Sequence, residues 1–183
     1  MDHAAHGTSG LGHIPRDVAR HVGRPAGAGP GLRGRLRLLV RNPDGTTAAE
    51  RDASNAVLRQ GAELVAKLFA GQTSTPIDGV RVGFGTDPLE PTATELGPPP
   101  AGIDPAALTS PVSPADFTIT AGDDRVQVAI AATYSPTVDL PGVTEAGLVS
   151  GGALYNHVLF DPVTLHQGQA VTFFWEIDFP FGR

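Results

Sequence analysis

The stretch LYNHVLFDPVTLHQGQAVTFFWEIDFPF, residues 154 to 181, places a large apolar side chain at almost every other position. Leu154, Val158 and Phe160 share one parity, and Val171, Phe173, Trp175, Ile177 and Phe179 share another. Between them His166-Gln167-Gly168-Gln169 has the composition of a turn. A side-chain period of two predicts paired strands with one face packed and one face free. The free face of the last strand carries Thr172, Phe174, Glu176 and Asp178, a mixture suited to meeting another surface.

Working outward, the whole chain of 183 residues fits one domain plus extensions. Its 23 glycines and 17 prolines argue for many turns and long connections rather than a helical bundle. A charged fraction of 17% suits a subunit whose surface is shared with neighbours. Cysteine is absent, which rules out disulfides, thiolate metal sites and a Cys nucleophile. No apolar run approaches the roughly 18 residues of a membrane span, and the N-terminus lacks the basic start and apolar stretch of a signal peptide. The net charge of -6 is uneven: residues 1 to 41 hold seven arginines against Asp2 and Asp17, and the rest of the chain has six Lys/Arg against 17 acids.

Residues 1 to 31 show no regular period, and Arg24-Pro25-Ala26-Gly27-Ala28-Gly29-Pro30-Gly31 disfavours both helix and strand. Alone in water this composition predicts a disordered arm. Ordering it would cost on the order of 30 to 60 kcal/mol of backbone entropy, so the expected partners are other subunits. Next, Arg33, Arg35 and Arg37 alternate with Leu36, Leu38 and Val40 in a strand expected at a sheet edge, where outward charge guards against pairing. Ser54 reads as an N-cap for an amphipathic covering helix over about 54–70, with Val57, Leu58, Gly61, Leu64, Val65, Leu68 and Phe69 on its stripe. Ile77 to Phe84 reads as a strand, residues 86–115 as a proline-rich loop, and residues 117 to 133 as a hairpin turning at Ala121-Gly122-Asp123-Asp124. Pro136 and Pro141 precede a short strand over 145–149. The expected fold is mainly β: an antiparallel β-sandwich over residues 32–183, one covering helix, and an extended basic arm over 1–31.

The chemistry-bearing residues yield no active site. His3, His6, His13 and His21 lie in the arm without a carboxylate or thiol motif, so ordinary tail residues are the better reading than a metal site. His157 and His166 read as structural residues of a strand and a turn. Glu176 and Asp178 share a strand face, yet glycoside hydrolysis needs two carboxylates across a cleft, and with one Trp and two Tyr sugar-stacking aromatics are scarce. Gly83-Phe84-Gly85-Thr86-Asp87-Pro88 has neither the lysine nor the helix of a phosphate loop. Asp123 and Asp124 are residues a turn favours whether or not calcium binds. The arm's arginines would meet nucleic acid only through salt-sensitive phosphate contacts; the acidic body of a neighbouring copy is the better partner. Catalytic, cofactor and metal residues are therefore none.

Asn55 to Gly71, then Val80-Arg81-Val82-Gly83-Phe84-Gly85-Thr86, resembles the helix, loop and apolar strand that open small virion proteins of tailed phages, prophages and phage-like injection particles. Thr144-Glu145-Ala146-Gly147-Leu148 followed by Leu154 to Val163 and Val171 to Ile177 is similar to their closing strands, although Asp87 stands where a further glycine is usual and His166-Gln167 replaces a basic turn residue. The resemblance implies a tail, baseplate, neck or fibre-associated subunit in a virion or phage-like particle assembled in the bacterial cytoplasm. It brings no catalytic residue. The expected function is a non-enzymatic structural subunit that binds copies of itself and other particle subunits, with Arg16, Arg20, Arg24, Arg33, Arg35, Arg37, Phe174, Glu176 and Asp178 as candidate interface residues. The alternative is a carbohydrate- or receptor-binding β-sandwich at a fibre tip, with a pocket in the 86–115 loop.

Overall fold

The computed structural model describes residues 32–73, 75–88 and 90–181. The expected arm over 1–31, with Arg16, Arg20, Arg24 and four of the histidines, lies outside the described residues. Ten strands and one helix follow in chain order. They are β1 (Arg33–Arg41), β2 (Thr47–Val57), α1 (Arg59–Phe69), β3 (Gly79–Gly83), β4 (Thr109–Pro111), β5 (Phe117–Ala121), β6 (Arg125–Tyr134), β7 (Leu140–Ser150), β8 (Ala153–Leu154), β9 (Asn156–Leu165) and β10 (Ala170–Pro180).

All the pairings are antiparallel, in the order β4-β3-β7-β9-β2-β1-β10-β6-β5, with β8 beside β7. The sheet curls into a half-barrel. Its weak point is the seam between β2 and β9, which pair only at Ala56↔His157 and Val57↔Asn156. Where these strands diverge, the Arg51 guanidinium replaces ladder bonds, donating to the carbonyls of Asp161 (3.1 Å), Pro162 (3.0 Å) and Glu50 (2.8 Å). A shallow depression of about 670 Å³ marks the divergence, lined by β2 and β9 rather than by the proline-rich loop.

Curling lets one apolar cluster serve both halves. Leu36, Leu38, Phe173, Trp175 and Ile130 from one half meet Val80, Val82, Leu148 and Val158 from the other, all buried. The Phe173 and Trp175 rings stack with centroids 5.4 Å apart. The period read from β10 holds: Val171, Phe173, Trp175 and Ile177 are buried, and Thr172, Phe174, Glu176 and Asp178 lie on the opposite face. The turn before it closes at His166–Gln169, with Gly168 at φ +83°.

Three local expectations are corrected. First, Ser54 belongs to β2 and is no cap; α1 starts at Arg59 behind Leu58, which offers no side-chain cap. The small residues of β2 hid its alternation, and pairing with β1 outweighs the local capping preference of Ser54. Second, β1 is central, between β2 and β10. Its outward arginines are cross-strand partners of acids, not an edge guard. Third, β7 runs through Pro141, where the ladder to β9 is irregular and the residue is exposed, so its missing N–H disrupts no regular ladder bond.

The proline-rich loop lies on the body. It contains β4 and two single-turn 3-10 helices, Pro105–Leu108 and Pro114–Asp116. Leu108 and Val112 join the main core, and Ala93 and Leu96 pack on Leu58, Val149 and Leu154 in a second cluster. This loop, rather than α1, is the main cover of that side: Leu64 and Val65 are half-buried, Leu68 is exposed and Phe69 is 96% exposed.

Candidate functional site

Two arrangements of polar side chains stand out. The first is the outward face of β1 and β10. Antiparallel register sets Arg33 opposite Asp178, Arg35 opposite Glu176 and Arg37 opposite Phe174. Arg35 Nη2 lies 3.2 Å from Glu176 Oε2, and Arg37 Nε donates to Glu50 Oε1 on β2 at 2.6 Å. Asp178 is taken up from the other side by Gln127 Nε2 (3.2 Å) and Arg125 Nη1 (3.4 Å) on β6. Phe174 stands 39% exposed among these pairs. The structure thus brings together Arg35, Arg37, Phe174, Glu176 and Asp178, with the backbone of Arg33 in register beside them.

These ion pairs are solvent-exposed, so each contributes at most about 1 kcal/mol to folding. Arg35→Ala is accordingly expected to change unfolding free energy by less than about 1 kcal/mol in urea denaturation. Phe174 thus stands inside a rim of charges that are already paired with one another.

The second arrangement is a buried centre that sequence reasoning missed. Glu145 on β7 and His157 on β9 face each other beside Gly85 and Gly97, with His157 Nε2 2.5 Å from Glu145 Oε2. The other carboxylate oxygen accepts from the backbone N–H of Gly85 (2.7 Å) and of Gly97. Thr144 Oγ1 donates to the Gly85 carbonyl at 2.6 Å. Burial alone would raise the Glu145 pKa, but His157 and the two N–H groups outweigh it and hold the carboxyl below the usual range.

Steric closeness explains the glycines. A Cβ on Gly83 or Gly85 would meet the Glu145 carboxylate, and one on Gly97 would meet the Gly85 backbone. The Gly-x-Gly run weighed above as a phosphate loop therefore wraps an internal anion. Among the described residues His157 Nδ1 is buried without a hydrogen-bond partner, and since a carboxylate only accepts, Nε2 is the ring nitrogen that donates to Glu145. Chemically this is a polar pin that fastens the loop to the sheet. Its carboxylate and imidazole are both buried. The sequence signal was a glutamate in a strand, β7, that is otherwise apolar apart from Thr144 and Ser150.

Among the described residues, no group of three His, Cys, Asp or Glu side chains could hold a metal ion, and no helix is long and apolar enough to cross a membrane. No known protein family, curated protein or solved structure matches this chain.

Proposed function

We propose that this chain is a non-enzymatic structural subunit of a phage or phage-like particle, built as two facing β layers and held to neighbouring copies by its sheet surfaces and its arginine-bearing N-terminal arm. The observation that carries the reading is the outward face of β1 and β10, where Phe174 stands exposed inside charges that already satisfy one another. Such a face adds little to folding, so its aromatic content suits association. Two further apolar side chains, Phe69 and Ile119, are left largely uncovered by the described residues. The particle assignment rests on the resemblance of the opening and closing segments to small virion proteins.

Assembly through many weak contacts works by effective concentration: once one surface has docked, the arm's contact becomes intramolecular in kind and adds stability without tight pairwise affinity. Removing residues 1–31 is expected to leave the circular-dichroism spectrum of the body unchanged while lowering the molar mass measured by light scattering after size exclusion. An unchanged oligomer would sink the arm's role.

A further inference from the structure

Among the described residues the sheet has two outer strands, and they are finished differently. β4 is three residues long, ends in Pro111, and is bracketed by the two 3-10 helices. It also lies against the far end of β6: Ser110 Oγ donates to the Thr133 carbonyl at 3.0 Å, and Tyr134 Oη donates to the Ala107 carbonyl at 2.5 Å. That edge is guarded by proline, by brevity and by contact.

β5 is less guarded. Phe117-Thr118-Ile119-Thr120-Ala121 is uncharged, contains no proline, and among the described residues pairs with β6 on one side only. Residues 118 to 121 are exposed, Ile119 at 71%. In register, Ile119 continues the row Ile177–Val128 of the inward face, so the side chain that ends the row has the chemistry of core and the exposure of surface. An outer strand rich in β-branched residues, as Thr118, Ile119 and Thr120 make this one, is a template for another strand.

From this edge we infer that β5 pairs antiparallel with β5 of a second copy about a two-fold axis centred on Ile119. The segment is self-complementary in that register. Ile119 meets its own counterpart, Phe117 faces Ala121, and Thr118 faces Thr120, which places apolar pairs on the inner side and hydroxyl pairs on the outer. The flanking acids also avoid one another: Asp116 falls opposite Gly122 and Asp123 opposite Ala115, so no like charges are set face to face. The inference deepens the proposed assembly by naming one of its surfaces and rests on that reading.

The absence of cysteine makes the test direct. Directly opposed residues in an antiparallel pair have Cβ atoms roughly 4.5 to 5.5 Å apart, a separation from which small local adjustment closes a disulfide. Full-length Ile119→Cys, oxidised at micromolar concentration and run on a non-reducing gel, is expected to form a covalent dimer at least about tenfold faster than the exposed control Val138→Cys. Ile119→Glu, which sets two carboxylates together on the axis, is expected to halve the molar mass measured by light scattering. Equal cross-linking of the two thiols, or an unchanged mass for Ile119→Glu, would overturn the pairing. If the unaltered chain is an oligomer in those same runs, the assembly reading survives that failure; if it is a monomer, both fall.

Discussion

Glu145→Ala is expected to destabilise the fold by about 3 to 5 kcal/mol, read from urea or thermal unfolding. The reason is what it leaves behind. Three donors, the N–H groups of Gly85 and Gly97 and the His157 ring, converge on one carboxylate that is 1% exposed. With the acceptor gone, the buried His157 ring and the two half-buried N–H groups lose their partner, and an unsatisfied buried group costs about 1 to 3 kcal/mol. Glu145→Gln keeps one oxygen for the two backbone donors but turns an amide towards the imidazole, so a smaller loss is expected.

The same centre sets an acid limit. Because the folded-state pKa of Glu145 is depressed, its contribution is present in full above the ordinary glutamate value of about 4.3 and is lost as pH falls through the lower folded value. Stability of the unaltered protein should therefore drop on acidification below about pH 4.3, and Glu145→Gln should flatten that limb. An equally steep limb in both proteins would show that other carboxylates govern it.

Gly61→Ala is expected to destabilise by about 2 to 3 kcal/mol, against the direction that helix propensity predicts. Inside a helix, alanine is favoured over glycine by about 1 kcal/mol. At this position, however, an added Cβ would sit 2.1 Å from the Tyr155 carbonyl oxygen and 2.8 Å from its ring. That carbonyl also accepts from the Leu58 N–H at 3.1 Å, so retreating would strain the start of the helix. The exposed Ala66→Gly on the same helix supplies the contrast, with an expected loss of about 1 kcal/mol from propensity alone. Unfolding curves in which Gly61→Ala gained stability would mean that α1 does not lie so close to the segment joining β8 and β9.

Legibility followed side-chain size. β10 was readable because five large apolar residues recur at every second position, with three polar residues and Phe174 between them, and only the strand period explains them. β2 was not, because Ala49, Arg51, Ala53 and Asn55 are too small or too polar to announce a half-buried face, while Ser54 offered a capping signal that the neighbouring strand overrides. The outward face of β1 and β10 was half legible: parity placed Arg35, Glu176 and Phe174 outward, but only the register joined them. The pin at Glu145 was beyond reach, since its partners lie 12, 48 and 60 residues away. Loop 86–115 showed its prolines and concealed its attachment.

Composition and local period alone determined that this chain is mainly β, where its last two long strands run, and which of their faces is apolar, because those properties follow from neighbours in the chain. The central place of β1, the curl that leaves β5 as an open edge, and the burial of one carboxylate under two glycine N–H groups were decided only in three dimensions. They depend on which distant backbone segments come close enough to share hydrogen bonds, and no nearby residue records that.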